Sequence, residues 1–158
     1  MRKAIVFISM LLLPFCVGLV AGALTQNTQE AFGMYNKPPL SPPAWLFPVA
    51  WTILYILMGI ASYLVYINTS SSETVGTKIL ALLFYAVQLF FNFLWSLVFF
   101  RLEEYWVAFV WLLILWVLVF IMMILYRKIS ALAFWLTIPY LGWLTFAAYL
   151  NLGVAMLN

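Results

Sequence analysis

Five long apolar runs, separated by short polar or charged segments, account for most of this 158-residue chain. They cover residues 4–24, 44–67, 79–100, 106–126 and 131–157. Each is close to the roughly 20 residues that an α-helix needs to cross the hydrocarbon core of a bilayer. Backbone polar groups in lipid must be satisfied within helices or closed barrels, and these runs are continuous rather than alternating. The pattern therefore predicts an all-α integral membrane protein, a five-transmembrane-helix bundle.

The first apolar run has features of both a membrane span and a secretion signal. It follows Arg2 and Lys3 and ends in Ala21-Gly22-Ala23, small residues of the kind that precede a signal-peptidase site. Its apolar length exceeds the roughly 7–15 residues of a signal-peptide core, so we interpret it as a retained span. A polar, proline-rich loop over residues 25–43 then leads to the second span.

Composition and charge support one membrane domain over residues 1–158. The chain is 68% apolar and 7% charged, with a mean hydropathy of +1.15, whereas soluble domains are about half apolar and a quarter charged. Most basic residues fall on the N-terminal side of a five-span topology, namely Arg2, Lys3, Lys78, Arg127 and Lys128, against Lys37 and Arg101 opposite. This bias predicts a cytoplasmic N-terminus. Basic residues scattered in this way form no nucleic-acid patch, so no nucleic-acid partner is expected.

Several kinds of chemistry are excluded by missing residue types. Cys16 is the single cysteine and the chain has no histidine. An intramolecular disulfide, a zinc or haem-histidine site and a Cys/His nucleophile are therefore not expected, and we predict no metal site. The spans carry no charged side chain in their interiors, which argues against proton relays and ion pumps.

Polar and aromatic side chains share one face in three of the spans. In the third span, Gln88, Asn92 and Trp95 recur at intervals of four and three residues, which places them on one helix face. Similar faces in the second and fifth spans are formed by Trp51, Tyr55 and Ser62, and by Tyr140, Trp143, Ala147 and Asn151. Such faces serve either as hydrogen-bonded contacts between helices, at about 0.6 kcal/mol each, or as walls of a ligand pocket. A pocket of this composition suits a flat, largely hydrophobic molecule.

Several motifs occur in an order that is shared with a known family. The loop carries KPPLSPP at residues 37–43, and the second span carries WTILYILMG at 51–59. Further along the chain come QLFFNFLW at 88–95, then Trp106, and then PYLGWLTF at 139–146 with Leu150-Asn151 after it. Over nearly its whole length the chain resembles the translocator protein family, also called tryptophan-rich sensory proteins or peripheral-type benzodiazepine receptors.

The resemblance implies a homodimeric, multi-pass protein of a bacterial cell membrane, with membrane lipid around it. It implies binding of porphyrins such as protoporphyrin IX, with no other cofactor, in a pocket capped by the first loop, and a role in porphyrin transport or stress signalling. In animal members it extends to sterols and synthetic ligands. By position, the resemblance implies ligand contact by Pro42, Trp51, Tyr55, Gln88, Asn92, Trp143 and Ala147. The shared helix faces add Trp95 and Tyr140 as candidate ligand-binding residues.

The chain departs from the family pattern in three places. Leu40 replaces a tryptophan that the family usually has between the prolines, and Ala31-Phe32 replace a Trp-Tyr pair. We therefore expect a different cap over the pocket. No basic residue follows Leu150, so tight sterol binding at the end of the fifth helix is not expected.

Three classes of function remain open. The first is a sensor or carrier of tetrapyrroles. The second is an enzyme that degrades them in a light- and oxygen-dependent reaction, with Trp51 and Trp143 as the candidate catalytic residues. The third is a small exporter or a structural subunit. We favour binding, because an enzyme normally has a titratable acid or base in its pocket and none lies within the spans.

The first span also contains a G-x-x-x-G pattern, Gly18 to Gly22. Two glycines on one face allow close helix approach, either between protomers or within the bundle. We favour packing within the bundle.

Overall fold

The computed structural model describes residues 2–31, 35–68 and 72–158. Within these ranges it consists of five long α-helices and contains no β-strand: α1 (Arg2–Ala31), α2 (Leu46–Ile67), α3 (Ser72–Ser96), α4 (Tyr105–Ile129) and α5 (Ala131–Leu157). All five are long and apolar enough to cross a membrane. The prediction of a multi-pass, five-helix integral membrane protein is confirmed.

Three helices extend beyond the apolar runs that predicted them, and α4 does so by continuing through Arg127 and Lys128 to Ile129. Residues 25–31 belong to α1, although they were expected to begin the loop, and residues 72–78 belong to α3. The apolar run marks where the chain leaves lipid, whereas polar residues such as Gln, Glu and Lys continue a helix into water without difficulty. The proline-rich loop is shorter than predicted for this reason.

A one-turn π-helix, Leu97–Arg101, ends the third span. We call this segment the π turn. It widens the helix by one residue per turn, and such insertions often occur at functional sites in otherwise regular helices. In this protein the π turn lies directly after Ser96 and leads through a short connection, which includes Glu103 at a positive φ of 56°, into α4.

The helices form a closed ring in the order α1, α2, α5, α4 and α3, with α3 and the π turn returning to α1. Small and branched side chains fill the centre, among them Ala61, Val65, Leu115 and Val119, which have no measurable exposure. Because lipid is as apolar as these side chains, close packing rather than the hydrophobic effect holds the helices together. Helix α1 is the most peripheral of the five. The buried share of its apolar segment is 11%, against 39% for the apolar segment of α2.

The connection between α4 and α5 is a single residue, Ser130. Its side chain accepts a hydrogen bond from the Ala133 backbone N–H at 3.3 Å and so caps the start of α5. Nearby, Asn68 at the end of α2 donates to the Ile129 carbonyl at 2.7 Å. These bonds hold α2, α4 and α5 together at this end of the bundle.

The described part of the proline-rich loop lies against the other end of α5. The Tyr149 hydroxyl donates to the Pro39 carbonyl at 2.6 Å, and Asn158 and Asn36 exchange hydrogen bonds of 3.1 and 3.0 Å. Pro38 sits directly over Gly153, where a Cβ atom would lie 2.4 Å from the Pro38 Cγ. The loop is thus fixed to the C-terminal helix by side chains on both partners.

Tyr35 connects the start of this loop segment to the turn after the third span. Its hydroxyl donates to Glu103 Oε1 at 3.1 Å, and its ring packs edge-on against Tyr105. Burial and these contacts raise the pKa of Tyr35 above its ordinary value. The phenol therefore stays protonated, and able to donate, throughout the physiological pH range.

Candidate functional site

A cavity of about 480 Å³ lies between α1, α2, α3 and α5, in the half of the bundle that carries the loop. Helix α4 contributes no lining residue. The volume falls within the roughly 300–1,000 Å³ of small-molecule sites. Its lining is aromatic and aliphatic and includes no charged side chain, and hydroxyl or amide groups are supplied by Thr25, Thr52, Tyr55, Asn92 and Ser96.

Two indole rings form one corner of the cavity. Trp51 of α2 and Trp143 of α5 meet edge to face, with centroids 6.5 Å apart and planes at 81°. Tyr55 lies 5.4 Å from Trp51, and Phe47 lies 6.0 Å from Trp143. Edge-to-face contacts between aromatic rings are favourable and hold each ring in a defined orientation. Because the two indole planes are nearly perpendicular, a flat ligand can stack on the face of one ring and meet the edge of the other.

A buried chain of hydrogen bonds lies beside the indoles, since the Tyr140 ring packs edge-on against Trp51 with centroids 6.2 Å apart. The Asn92 amide Nδ2 donates to the Tyr140 hydroxyl at 3.2 Å, and that hydroxyl donates to Gln88 Oε1 at 2.8 Å. Asn92 lines the cavity, whereas Gln88 and Tyr140 lie behind it. The Asn92 Oδ1 atom makes no hydrogen bond within the described part of the chain, so it can accept one from a ligand.

The π turn shapes the end of the cavity nearest the loop. Trp95, Ser96 and Phe100 line this end. The Trp95 indole N–H donates to Asn151 Oδ1 at 3.1 Å, and the Asn151 amide donates to the Tyr105 carbonyl at 2.8 Å. Asn151 therefore fixes an aromatic wall residue without contacting the cavity itself.

Comparison with known proteins shows the family of this chain. The TspO/MBR family model matches residues 10–157. The chain belongs to the TspO/MBR family. Among its relatives, the tryptophan-rich protein TspO of Archaeoglobus fulgidus is 35% identical over 152 residues, which cover 96% of this chain and 95% of the relative.

Further members of the TspO/MBR family come from bacteria and animals. The tryptophan-rich sensory protein of Cereibacter sphaeroides is 38% identical over 137 residues, covering 87% of this chain and 82% of that protein. The translocator protein of Ovis aries is 38% identical over 125 residues, covering 77% and 73% of the two chains. The resemblance inferred from the sequence motifs is confirmed.

The structure brings most of the predicted site residues of this TspO/MBR family member together. Six of them line the cavity: Trp51, Tyr55, Asn92, Trp95, Trp143 and Ala147. Gln88 and Tyr140 act through the hydrogen bonds behind Asn92. Pro42 is half-buried in the loop and is not among the lining residues. Ligand contact by any of these residues stays a prediction.

One entire wall of the cavity was not predicted. Helix α1 supplies Phe15, Gly18, Leu19, Ala21, Gly22 and Thr25. These residues resemble any apolar span, and α1 has no polar face that would distinguish its inner side. Gly18 and Gly22 were the one sequence feature that could have indicated a cavity wall on α1, because small residues on a helix face can leave space beside the helix as well as permit close contact.

The two glycines have different surroundings. A Cβ atom at Gly18 would lie 2.5 Å from the Tyr55 ring, so Gly18 packs within the bundle, as favoured from the sequence. Gly22 has no described atom within 4 Å of the corresponding position.

The described residues contain no group of three or more His, Cys, Asp or Glu side chains placed to hold a metal ion. Taken with the uncharged lining, the arrangement can stack against a flat molecule and offer it a few hydrogen bonds.

Proposed function

We propose that this protein binds a tetrapyrrole such as protoporphyrin IX in the cavity between α1, α2, α3 and α5, and acts as a membrane sensor or carrier for it. The observation that carries the proposal is the corner formed by Trp51 and Trp143 in an otherwise apolar cavity. Indole and phenol rings offer extended π faces to a macrocycle of the same flat shape.

The α3 wall of the cavity can fix the orientation of the ligand. Asn92 presents an amide oxygen toward the cavity, and its position is held by Tyr140 and, through Tyr140, by Gln88. A pyrrole N–H or a protonated carboxyl group on the ligand can donate to this oxygen. One fixed acceptor among stacking surfaces favours one orientation of the ligand over others.

The described cavity lining holds no carboxylate, lysine, arginine or histidine side chain, which favours binding over catalysis. The names of two relatives, tryptophan-rich sensory protein and translocator protein, support a sensing or transport role. We further propose that the protein is a homodimer in the membrane, as the family resemblance implies. Light scattering combined with size exclusion in detergent tests this, and a protein mass of about one 18.2-kDa chain would contradict it.

Fluorescence titration with protoporphyrin IX in the dark tests the binding site. Trp51→Phe and Trp143→Phe should each weaken binding, because a smaller ring loses stacking area. Trp135→Phe is the matched control, since Trp135 lies on α5 but is 65% exposed at the outer surface. The site is wrong if all three variants and the parent share one affinity. Loss of porphyrin absorbance under light, dependent on Trp51 and Trp143, would instead favour the degrading enzyme.

A further inference from the structure

Helices α1 and α2 are in close contact along one part of their length and separate along the rest. At Gly59 a Cβ atom would lie 2.9 Å from the Leu11 Cδ2 and from the Met10 carbonyl oxygen. At Gly18 it would lie 2.5 Å from the Tyr55 ring. One turn later, at Gly22, no described atom lies within 4 Å. The two helices therefore diverge just beyond Gly18.

The cavity reaches the surface of the bundle where the helices diverge. Leu19 is 72% exposed and yet lines the cavity. Pro48 and Thr52 on α2 are likewise both exposed and cavity-lining. A residue with both properties lies on the rim of an opening. The opening is thus bounded by α1 on one side and by the first turns of α2 on the other.

This opening lies at the depth of the membrane. Leu19 and Gly22 are inside the apolar span that ends at Thr25, and Pro48 and Thr52 are inside the span that begins at Leu46. With a rise of about 1.5 Å per residue, the rim lies within about 10 Å of the span ends. It therefore faces lipid tails just below the headgroups.

The chemistry of the rim agrees with contact to lipid. The Thr52 hydroxyl donates to the Pro48 carbonyl at 2.8 Å. This bond satisfies the Thr52 hydroxyl, so the side chain presents no unpaired polar group to hydrocarbon. On the water-facing side, by contrast, the described part of the loop is bound to α5 through Tyr149 and packed on Gly153.

We infer that the gap between α1 and α2 is a lateral portal, through which a flat apolar ligand passes between the bilayer and the cavity. The inference rests on the proposed function for the identity of that ligand. A hydrophobic macrocycle partitions into lipid, and an opening below the headgroups admits it without a passage through water. The lack of a side chain at Gly22 keeps the portal open.

A second groove offers a matched control. It lies between α2 and α5, is lined by residues that include Ile53, Pro139 and Gly142, and is separated from the cavity by Trp143 and Phe146, which line both. A Cβ atom at Gly142 also meets no described atom within 4 Å. A bulky residue at Gly142 fills a lipid-facing groove of the same bundle but leaves the portal open.

The first test is kinetic. Protoporphyrin IX in lipid vesicles is mixed with protein in vesicles, and the association and dissociation rates are measured for the parent, Gly22→Phe and Gly142→Phe. A blocked route raises one barrier for entry and exit alike, so Gly22→Phe should slow both rates by about tenfold or more. Gly142→Phe should match the parent.

Two outcomes would overturn the portal. One is a change in Kd with an unchanged association rate, which would make Gly22 part of the cavity wall only. The other is unchanged kinetics in both Gly22→Phe and Thr52→Phe. Thr52→Phe narrows the opening from the opposite rim, and it decides the question if Gly22→Phe fails to fold, as a melting curve would show.

The second test does not depend on porphyrin binding. In a Cys16→Ser background, Ser96→Cys places one thiol on the cavity wall. An apolar aromatic maleimide delivered in the bilayer should label it, and Gly22→Phe should slow labelling while Gly142→Phe does not. Equal labelling rates would contradict the portal. If labelling depends on Gly22 but the parent binds no porphyrin, the proposed function fails and the portal stands.

Discussion

The hydrogen-bond chain behind the cavity makes a sharp prediction for Tyr140→Phe. Tyr140 is 1% exposed, and its hydroxyl both accepts from Asn92 and donates to Gln88. The substitution keeps the ring and removes only that hydroxyl. Asn92 borders the cavity and can find another partner there, whereas Gln88 is fully buried and its Oε1 loses its donor.

The expected cost follows from these two losses. A hydrogen bond between membrane helices contributes about 0.6 kcal/mol on average, and a buried group left without a partner costs about 1–3 kcal/mol. We expect Tyr140→Phe to lower the free energy of unfolding by about 1–2 kcal/mol. The matched control is Tyr126→Phe, because Tyr126 is as deeply buried but its hydroxyl is bonded to one side chain, that of Ser62, at 2.7 Å. The Ser62 hydroxyl also donates to the Met58 carbonyl. The cost of Tyr126→Phe should be smaller, about 0.6 kcal/mol.

Equilibrium unfolding in mixed micelles, followed by circular dichroism, measures both variants. A double-mutant cycle with Gln88→Leu adds a second criterion. Removing both partners leaves no orphaned amide oxygen, so the double variant should lose less stability than the sum of the single variants. Tyr140→Phe as stable as the parent, or strict additivity in the cycle, would refute the role given to this chain of bonds.

Three further predictions concern other contacts. Asn92→Leu should weaken protoporphyrin IX binding by about 1 kcal/mol, measured by titration, with little change in melting temperature. Unchanged affinity would limit Asn92 to helix packing. Gly153→Ala should displace the rigid Pro38 ring, so proteolysis of the loop should accelerate, and equal cleavage would contradict the contact. Gly18→Ala should lower the free energy of unfolding by about 1–3 kcal/mol through overpacking against Tyr55. Equal unfolding free energies for this variant and the parent would contradict the contact.

The sequence was sufficient to predict the fold class, because continuous apolar runs in a bilayer permit little other than helices. The helix ends were less predictable. Hydropathy reports where lipid begins, so residues 25–31 and 72–78 were assigned to loops although they continue α1 and α3. The π turn had no sequence signal either, since Leu97–Arg101 reads as ordinary apolar helix.

The candidate site was predictable on the helices that carry polar groups. Asn92 and Gln88 are conspicuous inside an apolar span, and their spacing places the aromatic residues beside them on the same face. Spacing cannot distinguish a residue on the cavity wall from one packed behind it, as Tyr140 illustrates. It did not assign α1 to the cavity, because the lining residues of that helix are glycine or apolar apart from Thr25.

The most direct test of the account is to fill the cavity. Ala147 lines it from α5, and Ala147→Phe would place a phenyl ring in the space proposed for the macrocycle. Ala131→Phe, at the exposed start of the same helix, is the matched control. If the cavity binds protoporphyrin IX, Ala147→Phe should raise the Kd by at least about tenfold, equivalent to about 1.4 kcal/mol, while Ala131→Phe retains the parent value. Equal affinities in a folded Ala147→Phe protein would show that the ligand binds elsewhere.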